Sequence, residues 1–202
     1  MKNYSQNNEQ EVILKYFEGH TGVFIDIGAN DGVTFSNVRA LAELGWRGVF
    51  VEPSPKAFER LKANYEGLKG FYFYNFAIAD HNGKVFLQES GPLVSKDDVA
   101  LVSTIHQKEM KRFIGATQYE SVEVPCLRWK TFINRPPLKD FDFITIDVEG
   151  SELDILPELD LTNTKMVCVE FNGHAHLKQE YEKYLTGFKL IYTSAENLIY
   201  AK

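Results

Sequence analysis

Short apolar runs of strand length alternate with helix-like segments along most of the chain. The runs predict strands at VFIDI, GVFVE, FYFYNFAIA, VEVPCL, FITI and KMVCVEF, and FKLIYT-SAEN-LIYAK predicts a terminal hairpin. Helices are predicted between the strands, and an amphipathic helix over residues 6–18 precedes the first one. This alternation favours an α/β fold with a mostly parallel sheet and helices on both faces, to which the hairpin adds one antiparallel strand.

Two segments interrupt the alternation. After the third predicted strand, the turn HNG leads into KVFLQES, which is typical of a hairpin-like or edge strand. From residue 91 to about residue 121 the pattern weakens around one short helical piece, IHQKEMKRFIG. Because long irregular connections in compact domains are often active-site lids, we predict a lid-like insertion here, within a single domain spanning residues 1–202.

The charge balance narrows the class of partner. The formal net charge is -6 and the pI is near 5.4, which disfavours a nucleic-acid-binding surface because phosphate backbones select patches of Lys and Arg. The apolar runs are too short to span a membrane, and the start MKNYSQNNEQE has no apolar signal-peptide core. We therefore expect a soluble, cytoplasmic protein with a small-molecule partner. Cys126 and Cys168 lie in apolar surroundings and are expected to be buried thiols.

The loop after the first predicted strand carries the first candidate site. Asp26 lies near the strand end, and Gly28, Asn30, Asp31 and Gly32 follow it in the turn. Their spacing, D-x-G-x-x-x-G, differs from the G-x-G-x-x-G of dinucleotide-binding folds. Two carboxylates would repel a pyrophosphate and attract a cation. S-adenosylmethionine carries a sulfonium and an ammonium group and no phosphate, so this charge argument favours it over NAD as the cofactor.

The next two strand ends extend the predicted cofactor site. Glu52 ends the second strand, where an acid in such folds binds two ribose hydroxyls. At the end of the third strand, Ala77 and Ile78 are placed to flank an adenine ring, and Asp80 is placed to accept from its amino group. An ordinary exit from strand to turn remains the alternative for Asp80.

A cluster of acids follows the strand FITI. Asp147 stands where the strand should end, and Glu149, Glu152 and Asp154 follow within eight residues. In an open parallel sheet an acid at this position faces the ligand-binding crevice. The alternative is structural: Ser151 with Asp154 fits a capping box, and acids are favoured in a first helical turn. We assign Asp147 to the site and Glu152 and Asp154 to the helix, and we leave Glu149 open between the two.

The quoted motifs, taken in order, resemble the FkbM family of class I S-adenosylmethionine-dependent methyltransferases. The matching pieces are FIDIGANDGVTFSN, VEPSP, FAIAD, LVSTI, VEVPCL, ITIDVEGSE and VCVEFNGH, of which IDVEGSE is the most specific to the family. The resemblance implies a seven-stranded Rossmann-like sheet and methyl transfer to a hydroxyl of a sugar or other small molecule. The chain departs from the family pattern at Arg128-Trp129-Lys130 and after Glu170, where Asn172 stands at a position that is often His.

Candidate catalytic residues follow from this reading. An alcohol is a poor nucleophile at neutral pH, so a base or a metal ion beside it helps. The candidates for this role are Asp147, Glu149, Glu170 and His174. A divalent cation held by Asp147, Glu170 and Asn172 is an alternative that rests on an analogy of strand order with catechol-type O-methyltransferases, and we do not assign a metal. His174 has a competing interpretation as a solvated or capping residue.

Two segments carry further expectations. Ser103 and Thr104 match a Ser-Thr pair of the family and either close over the site or start the following helix. Lys108, Lys111 and Arg112 are interpreted as one solvated helix face, and contact with an acidic substrate is the alternative. Two other functions stay open at this point, a nicotinamide-dependent oxidoreductase and a non-catalytic nucleotide-binding module. The sequence leaves the acceptor and the oligomeric state undetermined.

Overall fold

A computed structural model describes all residues, 1–202, and shows a seven-stranded sheet beside a smaller three-stranded one. The large sheet has the strand order β3-β2-β1-β7-β8-β10-β9, and the small sheet has the order β4-β6-β5. The strands are β1 Val23–Ile27, β2 Arg47–Val51, β3 Phe71–Tyr74, β4 Ala77–Ile78, β5 Gly83–Ser90, β6 Tyr119–Leu127, β7 Phe143–Ile146, β8 Met166–Glu170, β9 Lys189–Thr193 and β10 Asn197–Ala201.

The large sheet has the predicted architecture. Strands β3, β2, β1, β7 and β8 run parallel, whereas β10 is antiparallel to both β8 and β9. The carboxyl ends of the parallel strands therefore meet at one edge, where ligands bind in such sheets. The prediction of a mostly parallel sheet with one antiparallel strand from the terminal hairpin is confirmed.

The helices are mostly short. The N-terminal helix is shorter than the predicted span of residues 6–18, and the helix predicted between β1 and β2 has only five residues, Arg39–Glu43. No helix is both long and apolar enough to cross a lipid bilayer. The helices are α1 Glu9–Tyr16, α2 Arg39–Glu43, α3 Pro55–Asn64, α4 Gln107–Met110, α5 Trp129–Phe132, α6 Glu152–Ile155 and α7 Ala175–Glu182.

The prediction of one long third strand, FYFYNFAIA, is wrong. The chain leaves the large sheet after Tyr74, and Ala77–Ile78 pairs instead with β6 in the small sheet. Asn75 lies at the break, where its side-chain amide donates to the carbonyl oxygens of Glu52 and Pro53 at 2.8 and 3.1 Å. These bonds hold Asn75, just after β3, against the end of β2. Ala77 and Ile78 therefore lie beside the carboxyl edge of the large sheet.

The segment KVFLQES does form a hairpin-like strand, but its partner is distant in sequence. It belongs to β5, which pairs antiparallel with β6 over the full length of β5. Strand β6 begins at Tyr119, inside the segment predicted as a lid. The connection between β5 and β6 is therefore residues 91–118.

Side chains alternate between two apolar cores, one on each face of the large sheet. One core contains Ile25, Val49, Ile144 and Val167, and the other contains the neighbours Phe24, Phe50, Phe143 and Cys168. Because successive strand residues point to opposite faces, the strand ends inherit this alternation. The acids that follow Phe24, Phe50, Phe143 and Cys168 at even spacing are Asp26, Glu52, Asp147 and Glu170, and they lie on the face of the second core.

Candidate functional site

A cavity of about 250 Å³ opens at the carboxyl ends of β1, β2, β7 and β8. It is lined by the Gly28 loop, by both residues of β4, by the β5–β6 connection and by residues beyond β7 and β8. Six carboxylic acids line it, and its single basic side chain is that of Arg112. The acids are Asp26, Glu52, Asp147, Glu149, Glu170 and Glu196. The cavity is therefore suited to a cationic ligand.

The loop after β1 is held close to two neighbouring strands. The backbone N–H groups of Gly28 and Ala29 both donate to the carbonyl oxygen of Val51, at 2.9 and 3.2 Å. Gly28 has φ +87°, and a Cβ atom there would lie 1.6 Å from the carbonyl oxygen of Asp147. Glycine is thus required for both its conformation and its lack of a side chain. The exposed backbone at Gly28 lines the cavity, as the sequence predicted.

Glu52 organises the cavity floor beside this loop. Its two carboxylate oxygens accept from the backbone N–H groups of Asn30 and Ser54, each at 2.7 Å. Burial raises the pKa of Glu52 to about 7, and the nearby charges of Asp147 and Glu89 add to the effect. Burial also raises the pKa of Asp26 well above its usual range, with further contributions from Asp147 and Glu52. Both acids carry a proton readily unless a cation is near them.

Four predicted cofactor residues line the cavity wall near Glu52. Asn30 adopts φ +48°, and its side-chain amide donates to the carbonyl oxygen of Val99 at 2.9 Å, which ties the glycine loop to the β5–β6 connection. Ala77, Ile78 and Gly28 complete this wall. The two β4 residues come to the site because of the break at Asn75.

Four other predicted site residues lie outside the cavity. The carboxylate of Asp31 accepts from the N–H groups of Val33 and Thr34 at 2.8 and 2.7 Å and so shapes the loop. Gly32 packs against the side chains of Leu61 and Tyr65. The other two are Asp80 and His174.

Asp80 and His174 were predicted to contact the cofactor and the acceptor, and the structure does not place them there. The Asp80 carboxylate is 75% exposed and pairs with Nδ1 of His81 at 2.7 Å, because the chain turns outward after β4. His174 is exposed at the start of α7 and stacks loosely with His176, 5.7 Å between ring centroids. The solvated interpretation of His174 fits this geometry.

Beyond β7 and β8, three predicted catalytic acids converge. Carboxylate oxygens of Asp147, Glu149 and Glu170 lie within 4.8 Å of one another. Enclosure in the cavity raises the pKa of Asp147 to about 6, although a hydrogen bond with Glu170 opposes the rise. Burial and the charge of Asp147 raise the pKa of Glu170 and of Glu149 well above their usual range. The three carboxylates therefore titrate as one interacting group.

The same geometry bears on a metal ion. Asn172 lines the cavity with φ +50°, so all of Asp147, Glu170 and Asn172 face one space. The side chain that completes the cluster of oxygens is, however, Glu149. Oxygen ligands of this kind suit a hard divalent cation. A metal ion at this position stays the unassigned alternative.

The predicted capping box at Ser151 and Asp154 does not form. Ser151 precedes α6 but makes no side-chain cap, and its hydroxyl instead lies 2.7 Å from Nε2 of His106. The buried carboxylate of Glu152 turns back and accepts from the N–H groups of Val148 and Gly150 at 3.3 and 3.1 Å. Burial raises the pKa of Glu152 to about 7. Glu152 thus holds the Asp147 loop rather than serving an ion pair.

The β5–β6 connection is joined to the same loop by three contacts. The hydroxyl of Thr104 donates to the carbonyl oxygen of Glu149 at 2.7 Å. Nε2 of His106 is hydrogen-bonded to the hydroxyl of Ser151, also at 2.7 Å. The guanidinium of Arg112 donates to the carboxylate of Glu149 at 3.2 Å. Arg112 is exposed, as the interpretation of a solvated helix face expects, but its guanidinium also lines the cavity. Ser103 also lines it, with its hydroxyl accepting from the N–H of Ser90 at 2.9 Å.

Several residues of the site carried no signal in the sequence. Gln6, Phe35, Asn37 and Glu196 line the cavity from segments that are far apart along the chain. None lies at the carboxyl end of a parallel strand, which is where the sequence predicts ligand-binding residues. Only the folded chain brings them together.

Comparison with known proteins decides the family. Residues 26–190 match the methyltransferase FkbM domain family. The chain belongs to this family. A curated relative, the 2-O-methyltransferase NoeI of Sinorhizobium fredii (strain NBRC 101917 / NGR234), is 27% identical over 169 residues, which cover 79% of this chain and 67% of NoeI.

Solved structures confirm the class I methyltransferase fold. The ribosomal protein L11 methylase of Lactobacillus delbrueckii subsp. bulgaricus has a TM-score of 0.51 at 13% identity, covering 98% of this chain and 78% of that one. Precorrin-6y C5,15-methyltransferase of Geobacter metallireducens GS-15 has a TM-score of 0.51 at 12% identity, covering 100% and 93%. TrmK of M. capricolum, solved with S-adenosylhomocysteine, has a TM-score of 0.50 at 11% identity, covering 99% and 70%.

Proposed function

We propose that this FkbM-family protein transfers a methyl group from S-adenosylmethionine to a hydroxyl of a small molecule or sugar. One observation carries the proposal: the cavity combines six carboxylic acids with a single arginine, which is already paired with Glu149. This electrostatic environment favours a sulfonium and an ammonium group and opposes a pyrophosphate. The cofactor product bound to TrmK and the name of NoeI support the two halves of the proposal.

The residues that line the cavity offer groups suited to each part of this cofactor. Glu52 presents a buried carboxylate at the end of β2, where ribose hydroxyls bind in such sheets. Ala77 and Ile78 offer two small-to-medium apolar side chains beside it for the adenine ring. The bound cofactor would supply an electrophilic methyl group, and the protein would supply position, charge and a proton acceptor.

We assign to Asp147 the role of the base that accepts the proton of the acceptor hydroxyl. With a pKa of about 6 it is ionised at neutral pH, and the hydrogen bond with Glu170 favours this ionised form. A base with a pKa near the working pH combines availability with basicity. Holding the hydroxyl between these two groups also lowers the entropic cost of the in-line displacement.

The decisive experiment compares ligands and then acceptors. Calorimetry of the purified protein with S-adenosylmethionine and with NAD should show binding of the former alone. Binding of NAD without S-adenosylmethionine would support the oxidoreductase and refute the proposal. Incubation with methyl-labelled S-adenosylmethionine and a panel of hydroxylated metabolites and glycans should then label an acceptor. Tight cofactor binding with no label in any acceptor would instead favour a non-catalytic binding module.

A further inference from the structure

The cavity has two halves, divided by the order of the strands. Strand β2 lies on one side of β1, and β7 and β8 lie on the other. Glu52 therefore faces the first half, whereas Asp147 and Glu170 face the second. If the cofactor occupies the first half, as proposed above, the acceptor must approach over β7 and β8.

The second half is closed by a wall drawn from four separate segments, which we call the distal wall. Its members are Gln6, Phe35, Asn37, Asn172 and Glu196. Ser5 and Phe35 form a backbone bridge between the N-terminal segment and the loop before α2. The side-chain amide of Asn7 donates to the carboxylate of Glu196 at 2.6 Å, and the N–H of Asn172 donates to the carbonyl oxygen of Glu196 at 3.0 Å. The segments are thus joined into one surface.

The distal wall presents hydrogen-bonding groups that the fold does not use up. Asn37 is buried, and its Oδ1 atom has no hydrogen-bond partner, while its amide nitrogen meets only the sulfur of Cys168 at 3.6 Å. The unpaired Oδ1 atom is itself enclosed by protein, so the groups of the wall that remain for a ligand are the side-chain amides of Gln6 and Asn172, which also line the cavity. Amide side chains both donate and accept, which matches hydroxyl groups.

Phe35 gives the wall an apolar face. Phe35 lines the cavity and is 38% exposed. Its φ of +55° is unusual for an aromatic residue. Residues held in this region of φ cluster at ligand sites. An aromatic ring beside several amides suits a ring-shaped ligand that has both C–H faces and hydroxyl edges.

The charges of the cavity exclude an anionic acceptor. Arg112 is its only basic group, and its guanidinium is paired with Glu149 at 3.2 Å and Glu109 at 3.4 Å. A carboxylate or phosphate on the acceptor would lie near Glu196 and Asp147 with no free cation. Like charges in an interface of this kind cost several-fold in affinity.

We propose that the distal wall is the acceptor subsite and that it takes an uncharged ring bearing several hydroxyls, such as a neutral sugar, with one hydroxyl directed toward Asp147 and Glu170. The inference rests on the proposed function, because it assigns the second half of the cavity only after the first is given to the cofactor. It adds the residues of the subsite and the charge of the ligand.

Binding can be measured without turnover. The protein is saturated with S-adenosylhomocysteine and examined by saturation-transfer NMR with the methyl glycosides of mannose, galactose, fucose and glucose, and with methyl glucuronide as the anionic match of the glucoside. We expect at least one neutral glycoside to bind at millimolar concentration. If the glucoside binds, its affinity should be about 10-fold or more higher than that of the glucuronide. Binding of none of the neutral glycosides, or tighter binding of the glucuronide, would overturn the inference.

Variants locate the subsite. Asn172→Gly removes the amide while allowing the positive φ, and Phe35→Leu removes the ring while keeping an apolar side chain. Each should weaken glycoside binding by about 2- to 10-fold, the cost of one neutral hydrogen bond or one aromatic contact. Phe86→Leu is the matched control, since Phe86 is 62% exposed on β5 away from the cavity. Unchanged binding in both variants would place the acceptor elsewhere.

Calorimetry with S-adenosylhomocysteine separates this inference from the proposed function. A protein that does not bind the cofactor product contradicts the proposed function. A protein that binds it normally but takes no neutral glycoside contradicts the distal wall alone.

Discussion

The α-carbon of Gly28 lies so close to the carbonyl oxygen of Asp147 that a Cβ atom would be 1.6 Å from that oxygen. The loops after β1 and β7 therefore touch through their backbones. The N–H of Asp147 also donates to the carbonyl oxygen of Ile27 at 2.9 Å, at the same junction. The glycine loop and the principal candidate base are thus positioned against each other at this junction, and only glycine permits the close approach.

Gly28→Ala should separate steric from conformational effects. We expect it to lower the free energy of unfolding by about 3 kcal/mol or more and to abolish cofactor binding, because a backbone clash adds to the strain of positive φ. Gly45→Ala is the matched control, with φ +89° and nothing within 4 Å of the added atom. It should cost about 1–2 kcal/mol and leave binding intact. Equal losses in urea unfolding and calorimetry would refute the role of the contact.

Asp147→Asn should abolish transfer and largely spare cofactor affinity. The amide keeps the size of the carboxylate but cannot take a proton, so we expect the rate to fall by about 10²- to 10⁴-fold. Asp160→Asn, on an exposed acid away from the cavity, should leave the rate unchanged. Chelator added to the wild-type protein tests the metal alternative separately. A rate that chelator does not change would exclude the cation role even if the variant is inactive.

The pH profile of transfer should show a basic limb. Asp147 acts only when ionised, and its pKa of about 6 is raised from 3.8. At saturating cofactor, kcat/KM for the acceptor should rise roughly 10-fold per pH unit well below pH 6 and level off above it. A profile that is flat or falling between pH 5 and pH 8 would show that another group accepts the proton.

The ligand-free protein should lose stability as the pH rises from about 5 to 7. Burial raises the pKa of Glu52 and of Glu152 from 4.5 to about 7, so the folded protein holds protons that the unfolded chain has released. Folding then takes up protons in this window, and the free energy of unfolding falls with pH. Thermal unfolding in matched buffers measures the trend. A midpoint that rises from pH 5 to pH 7 would contradict it.

The cofactor should oppose that loss. A sulfonium favours the ionised form of the cavity acids, so S-adenosylmethionine should raise the unfolding midpoint more at pH 7.5 than at pH 5. S-adenosylhomocysteine has the same size but no sulfonium charge, and its stabilisation should depend less on pH. The same pH dependence for both ligands would show that the sulfonium does not contact these acids.

Arg112 should hold the β5–β6 connection over the cavity. Arg112→Met removes the ion pair with Glu149 and leaves that buried acid without its cation. We expect faster hydrogen exchange over residues 100–115 and weaker cofactor binding. Lys111→Met changes the neighbouring exposed cation, which lines no part of the cavity. Equal exchange rates in the two variants would contradict a closing role for Arg112.

The acids of the site could be predicted from the sequence because each ends an apolar run. Asp26, Glu52, Asp147 and Glu170 follow strands whose carboxyl ends meet at one edge. The even spacing from Phe24, Phe50, Phe143 and Cys168 also places them on one face. The alternation of side chains along a strand is a local rule, and the parallel order of strands joined by helices is a topological one. Neither rule depends on the details of side-chain packing.

The errors arose where a local rule competed with distant contacts. Ser151 and Asp154 fit a capping box, but the hydroxyl of Ser151 meets His106, 45 residues away, and Glu152 serves the loop amides. Asp80 is two residues beyond the cavity-lining Ile78, yet the turn into β5 directs the Asp80 side chain to solvent. Arg112 has the pattern of a solvated helix face and is exposed, but it is also paired with Glu149 at the cavity.

The sequence by itself determined the parallel sheet, the glycine loop and the four acids at its edge, because strand alternation and conformational freedom are properties of neighbouring residues. Only the tertiary structure decided the split of the third strand, the attachment of the β5–β6 connection and the distal wall. Those features depend on contacts between segments that are far apart in the chain, such as Asn7 with Glu196, and no local pattern specifies such pairs.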